Sequence, residues 1–220
     1  MKLKDIEMFW KSFLHSRNND FSKDGCWWDY SDQEDLEKIV NQLSNTNTSE
    51  REIIQKKLIE NGVCSVLDAG CGVGTEFERY KAGNMNIKYV GMEKSNRMLK
   101  IAKTKHPEAI FIYGDVNQIQ FKDNSFDAVV LKHVLEHLPY YDKAVSEAVR
   151  VSSKLVVIDF FHKLWFFDYL KQHKSGFCEN WYSKRKFLKF IDKLPISRYE
   201  VINTVGTSRQ TAEIYLLHKK

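Results

Sequence analysis

The chain has little of what would place it in a special class. Its 220 residues hold three prolines and ten glycines, and there is no internal repeat. The nearest thing to a low-complexity segment is the polar patch "NQLSNTNTSE". Hydrophobic content of 43% with charged content of 29% excludes a disordered or collagen-like chain. No apolar run approaches the roughly 20 residues of a membrane span. The opening "MKLKDIEMFWKSFLHSR" carries acids and no long apolar stretch, so it does not read as a secretory signal. Cys26, Cys64, Cys71 and Cys178 show no CxxC spacing, which points to reduced thiols in a cytoplasmic protein rather than to disulfides or zinc ligands.

Charge is close to balanced overall, at +5, but unevenly spread. Residues 1–60 carry 9 Lys/Arg against 12 Asp/Glu, and residues 61–150 carry 12 against 11. Residues 151–220 carry 13 against 6, a net +7. A basic C-terminal third suits an acidic substrate, a phosphorylated lipid or RNA, and equally a solvated lysine-rich surface.

What is present is a clear alternation of elements. Residues 3–15 pattern as an amphipathic helix, "SDQEDLEKIVNQL" as a second, with Ser31 and Glu34 as a capping box, and "TSEREIIQKKLIENG" as a third, capped by Thr48 or Ser49 and closed by Gly62. Strand-like runs follow at 64–69, 88–93, 109–115, 126–133 and 154–161, with helical patterns between them. "SRYEVINTV" and "AEIYLLHKK" are two more strands whose short connection favours an antiparallel pair. The expected fold is α/β: a doubly wound, mostly parallel seven-stranded sheet with helices on both faces. We expect one domain over 1–220, made of an N-terminal helical cap (1–60), a core (61–160), a helical aromatic cap insertion (161–195) and a C-terminal strand pair (196–220).

The chemistry is concentrated in "VLDAGCGVGTEFERY". Strand, glycine turn and helix form the nucleotide-receiving unit of such sheets. The dinucleotide fingerprint G-x-G-x-x-G fails here, because Gly70 and Gly72 fit but position 75 is Thr. Asp68, just before the turn, would repel a pyrophosphate and attract a cation, as in the ammonium and sulfonium groups of S-adenosylmethionine (SAM). Glu93 ends the second strand, placed to accept ribose hydroxyls. Asp115 ends the third, placed to accept from an adenine amino group, with Val116 and Lys94 flanking the ring. Cys71 belongs to the turn as a small buried residue rather than a nucleophile.

"VLDAGCGVG", "VGMEKS" and "YGDVNQIQFKDNSFDAVVLKHVLEHL" together resemble the class I SAM-dependent methyltransferases, in particular the group that includes the ubiquinone-biosynthesis methyltransferases. The resemblance covers about residues 60–160. It implies SAM as methyl donor and S-adenosylhomocysteine as product. It carries Asp68, Gly70 and Gly72 to the methionine end of SAM, Glu93 to the ribose, Asp115 to the adenine and the Lys132 carbonyl to the ammonium. It also implies an active enzyme rather than a non-catalytic SAM-binding subunit, since the acidic and glycine positions are all kept.

The acceptor is less legible. An aromatic-rich insertion, with Trp165, Phe166, Trp181 and Tyr182 among others, and the cluster "CWWDYSD" suit an apolar lid over the methyl-transfer site. The expected acceptor is a small molecule or lipid-like metabolite methylated on oxygen or nitrogen; RNA and protein acceptors stay open, although no N-P-P-Y-type loop follows strand four. "HVLEH" puts His133, Glu136 and His137 at i, i+3 and i+4, on one face if the segment is helical. His133 and His137 are the candidate general bases, the other reading being a loop that only shapes the pocket and contacts SAM through its backbone. The segment also resembles the metal-binding E-x-x-E-H loop of ubiquinone-biosynthesis and small-RNA 2′-O-methyltransferases, with His162 as a further ligand. His133 stands where those proteins have Glu, and no metal is assigned.

Overall fold

The computed structural model describes residues 29, 37–38, 40–41, 44, 48–160, 163–164, 166–172, 178–205 and 211–220. The helix expected over 3–15 lies outside them. Of the second, residues 37–38 and 40–41 are helical. The third is α1 (Ser49–Glu60), and its cap is Thr48, whose hydroxyl accepts from the Arg51 N–H. Gly62 follows with φ +58°, the left-handed geometry that ends a helix without a Cβ penalty.

From there strands and helices alternate. They are β1 (Ser65–Ala69), α2 (Thr75–Ala82), β2 (Lys88–Glu93), α3 (Asn96–Lys105), β3 (Ile110–Tyr113), β4 (Phe126–Lys132), α4 (Asp142–Val151) and β5 (Ser152–Phe160). β6 (Lys163–Leu164) pairs with β7 (Tyr182–Ser183) outside the main sheet. α5 (Lys184–Ile191), β8 (Ile196–Val205) and β9 (Thr211–Lys219) complete the chain. The main sheet has seven strands in the order β3-β2-β1-β4-β5-β9-β8. All pairs from β3 to β5 are parallel, and β9 runs antiparallel between β5 and β8, as expected.

Both faces are covered, which is why the central strands read as unbroken apolar runs. Leu67, Val129, Leu131, Val156 and Ile158 face α4 and α5, in one cluster with Val145, Val149, Phe187 and Ile191. Val66, Ala128, Val130, Leu155 and Val157 face the other way, with Ile54 and Leu58 of α1, Tyr80 of α2 and Leu99 of α3. Successive connections leave β1 toward β2 and β3, but leave β4 toward β5. The crevice beyond the carboxyl ends of β1 and β4 is therefore a switch point, where such sheets bind ligands.

α5 is the helical part of the insertion, capped by the Ser183 hydroxyl. The aromatic stretch ahead of it is extended where described, with bridges Tyr169–Trp181 and Gln172–Cys178. Phe, Tyr and Trp suit extended backbone better than helix, and here they set that balance. Among the described residues, no helix is long and apolar enough to cross a membrane.

The Phe187 ring is fully buried edge-on to Tyr141 and Tyr215, with centroids 5.1 and 5.0 Å away. Phe187→Ala should cost about 3–5 kcal/mol in chemical denaturation. A loss under about 1 kcal/mol would show that α5 is not integral to the core.

Candidate active site

The turn after β1 is built on positive φ: +86° at Gly70, +54° at Gly72 and +82° at Gly74. A Cβ on Gly70 would lie 2.5 Å from Val134 in the loop after β4, so the two loops flanking the switch point meet closely. A Cβ on Gly72 would meet nothing within 4 Å, which leaves its backbone open to the crevice. The N–H groups of Gly70 and Cys71 donate to the Met92 carbonyl, at 2.7 and 3.1 Å. Burial, then the charges of Asp68 and Glu93, push the Cys71 thiol well up, so it stays protonated.

Glu93 joins this turn to the next strand. Its Oε2 accepts from Gly72 N–H, and its Oε1 accepts from Lys94 and Ser95 N–H, each at 2.9 Å. Burial raises the Glu93 carboxyl, and those backbone bonds pull against it. One strand over, the Lys94 ammonium is 2.8 Å from Asp115 Oδ2, while Asn117 holds Oδ1 through its N–H and side-chain amide. Burial acts to raise the Asp115 carboxyl, but Lys94 and Asn117 hold it below its usual range. Val116 is buried beside it. Asp68, Gly70, Cys71, Gly72, Glu93, Lys94, Asp115 and Val116 thus all come to the carboxyl ends of β1, β2 and β3.

The sequence did not reveal Asp29. It lies in the "CWWDYSD" segment, and its carboxylate accepts from Ser95 Oγ at 2.6 Å, Arg97 N–H at 3.1 Å and Asn96 N–H at 3.3 Å. Asp29 therefore takes the first N–H groups of α3 and Glu93 those of Lys94 and Ser95 just ahead of it, with acids where a helix N-terminus favours them.

"HVLEH" does not become an α-helix. It forms one 3₁₀ turn, Leu135–His137, and Leu138 ahead of Pro139 is extended (φ −96°, ψ 147°), as a residue before proline must be. His133 adopts φ +53°. Its Nδ1 is 3.4 Å from Glu136 Oε1, and its Nε2 is 3.6 Å from Asp159 Oδ2 of β5. His137 points elsewhere: its Nδ1 is 2.9 Å from the Cys178 carbonyl. The insertion is further fixed to this loop by Asn180, whose N–H donates to the Glu136 carbonyl at 2.8 Å and whose amide donates to the Leu138 carbonyl. The Tyr182 hydroxyl donates to that carbonyl too. Of the expected trio, His133 and Glu136 come together and His137 braces the cap. His162, Trp165 and most of the first 47 residues lie outside the described residues. Among those described, no group of three or more His, Cys, Asp or Glu is arranged to hold a metal ion.

A family whose description is "Methyltransferase domain" matches residues 67–155, from β1 into β5. The demethylmenaquinone methyltransferase of Renibacterium salmoninarum is 39% identical over 100 residues, covering 44% of this chain and 41% of that protein. The ubiquinone/menaquinone biosynthesis C-methyltransferase of Campylobacter jejuni is 29% identical over 132 residues, covering 54% and 52%. The chain thus spans about half, or less, of the curated relatives it matches. The 1,6-didemethyltoxoflavin-N1-methyltransferase of Burkholderia thailandensis, solved with 1,6-didemethyltoxoflavin and S-adenosylhomocysteine bound, shares the fold. Its TM-score is 0.62 over 78% of this chain and 77% of that one, at 11% identity. Residues 67–155 thus match a methyltransferase domain, on a fold shared with a methyltransferase solved with S-adenosylhomocysteine bound.

The residues of this chain fit SAM. The open backbone at Gly72 makes room beside Glu93, whose one remaining lone pair, on Oε2, suits a ribose hydroxyl. Beneath the turn, the polar end of the α1–α2 core carries more acid than base. Glu50, Asp68, Glu76 and Asp159 are buried there, with Arg51 and Lys132 as the cations. Arg51 Nε is 2.7 Å from Glu76, and Lys132 Nζ is 3.4 Å from Asp159. The Lys132 side chain thus points into the protein, which leaves only its backbone for the ammonium role that the family pattern gives it. Burial, then the Glu76 charge, lift Asp68 to about 7, against the hydrogen bond from Tyr89 Oη at 2.7 Å. An acid surplus in low dielectric at this point is complementary to a cationic ligand.

Two consequences follow for pH. A cation near Asp68 favours its ionised form, so SAM binding below pH 7 should release protons and tighten as pH rises through about 7. Because the folded Asp68 is raised above its ordinary 3.8, its burial costs stability that grows as pH climbs from 3.8 to about 7. Asp68→Asn keeps an acceptor for Tyr89 without the charge. It should stabilise the protein by about 1–3 kcal/mol at pH 8, less at pH 5, while weakening SAM binding. Equal effects at both pH values in thermal melts would contradict the assigned cause.

Proposed function

We propose that the chain methylates a small apolar acceptor carrying an acidic hydroxyl, of the phenol or quinol class, with SAM as donor. The observation that carries this is the imidazole of His133 set between Glu136 and Asp159 beside the cofactor turn. An oxygen or ring-carbon nucleophile of a phenol becomes competent once the O–H proton is lost, and imidazole is the usual general base for that step. When bound, SAM supplies a methyl carbon activated by the adjacent sulfonium. The protein's part is to orient the acceptor, exclude water and hold the proton.

The printed names of the relatives support a quinol: one is a demethylmenaquinone methyltransferase and another a C-methyltransferase of ubiquinone/menaquinone biosynthesis. They favour a ring carbon over the oxygen or nitrogen expected from sequence, and a phenolate is nucleophilic at both carbon and oxygen. The aromatic insertion supports an apolar acceptor, with Trp181 against Tyr169 at a centroid distance of 5.1 Å. The basic C-terminal third gives little support to nucleic acid. Lys154, Lys171, Lys184, Lys186 and Arg198 are paired with Asp127, Glu179, Glu213, Asp168 and Glu200, which ties five of its thirteen cations to carboxylates within the protein.

The test is incubation of the purified chain with SAM and a 2-unsubstituted, short-chain prenyl naphthoquinol under reducing conditions, read by mass spectrometry. The expected result is a product heavier by one methyl group on a ring carbon, at full rate in chelator. Methylated RNA or peptide from a parallel cell extract, with unchanged quinol, would replace this function with another.

A further inference from the structure

We propose that Glu136 is a positioning residue for His133, fixing the imidazole so that Nε2 takes the proton from the methyl acceptor. The proposal rests on the preceding functional reading, but its test needs no acceptor.

Four observations converge on it. The first is that His133 Nδ1 is a buried atom, 3.4 Å from the Glu136 carboxylate, which is itself 3% exposed. Glu136 is the nearer of the two carboxylates beside the ring, at 3.4 Å against 3.6 Å for Asp159, so the neutral ring holds its proton on Nδ1 and keeps the Nε2 lone pair for chemistry. The second is backbone strain. A non-glycine residue at φ +53° costs on the order of 1 kcal/mol, and such outliers persist where the surroundings over-determine them. Here they do: His133 N–H donates to the Asp159 carbonyl at 2.7 Å, and the Glu136 carbonyl accepts from Asn180 N–H at 2.8 Å.

The third is a reversal of face. Lys132 and Asp159 are register partners on the α1 side of the sheet, so a regular strand would turn residue 133 to the opposite side. The left-handed residue brings the ring back, and Nε2 comes within 3.6 Å of Asp159 Oδ2. The fourth is charge. Among the described residues, the charged groups around the ring are Glu136 in its own turn, Asp159 on β5 and Lys132 on β4. Glu50 and Arg51 of α1 and Glu76 of α2 stand behind Asp159. Carboxylates on both sides stabilise the imidazolium formed on proton transfer, and Lys132 balances Asp159 at 3.4 Å.

The step balances. The acceptor's O–H bond breaks and its proton goes to Nε2. The electron pair left on the acceptor forms the bond to the methyl carbon, and the carbon–sulfur pair stays on sulfur, which loses its charge. The hydrogen on the methylated ring carbon is then lost to water as a proton, and the oxygen takes a proton back from His133, which restores the quinol and the neutral imidazole.

The experiment is ¹⁵N-histidine NMR of the full chain without acceptor, with the His133 signals identified by their loss in His133→Gln. In the unmutated protein the neutral ring should be the Nδ1–H form, the minor one of free histidine. Glu136→Gln should retain that tautomer and lower the His133 titration midpoint by about one pH unit, with SAM affinity changed less than about threefold. With the naphthoquinol as probe, the acid limb of the kcat profile should shift in parallel. An Nε2–H tautomer in the unmutated protein overturns the proposal even if the variant fails to fold. So does an unmoved midpoint in Glu136→Gln, or a fall in SAM affinity as large as that in kcat. An unmethylated quinol with the expected tautomer and midpoint counts against the proposed acceptor and leaves the dyad standing.

Discussion

The carboxylate of Glu93 joins the two halves of the cofactor end. One oxygen holds the glycine turn after β1 through Gly72, and the other holds the start of α3 through Lys94 and Ser95. Bonds of this charge-assisted kind contribute about 1.5–3 kcal/mol each, and together they fix the spacing between the turn and the tip of β2. Asp29 takes the next N–H groups of the same helix, so the segment ahead of the core is anchored where Glu93 has set the geometry. Without that carboxylate the turn would be held to β2 mainly by the Met92 carbonyl.

Below this junction the sheet accepts a cost. Acids outnumber bases at the buried end of the α1–α2 core, and ionised carboxylates in such a place are expensive. Arg51 and Lys132 offset part of it, and Asp68 answers the rest by holding its proton up to about pH 7. A protein selected only for stability would place apolar residues there. The retained acids make sense beside a ligand that brings positive charge, which links the energetics of the core to the chemistry of the site.

Much of this was legible in the sequence, for local reasons. The apolar runs announce strands buried on both faces, and Thr48 and Ser183 announce helix starts. The glycines announce positive φ because no other residue enters it so cheaply. What escaped depends on tertiary meetings. Asp29 finds α3 from 66 residues away. The described part of the aromatic stretch before α5 is extended, bridged to itself and tied to the loop after β4 through Asn180 and Tyr182. "HVLEH" would put His133, Glu136 and His137 on one face only as a helix, and the left-handed His133 and the approach to Pro139 confine it to one 3₁₀ turn. Asp159 did leave a sign: it is the only acid in the apolar run "KLVVIDFF", where an ionisable group needs a partner or a task. Lys132 and His133 supply both.

The most direct test of the account is calorimetry of the unmutated chain and of Glu93→Ala with SAM and, separately, with NAD. The unmutated chain should bind SAM with micromolar affinity, roughly −8 kcal/mol, and the variant at least about tenfold more weakly, with no appreciable NAD binding by either. Tight NAD binding, or SAM binding untouched by the loss of Glu93, would contradict the account at its centre.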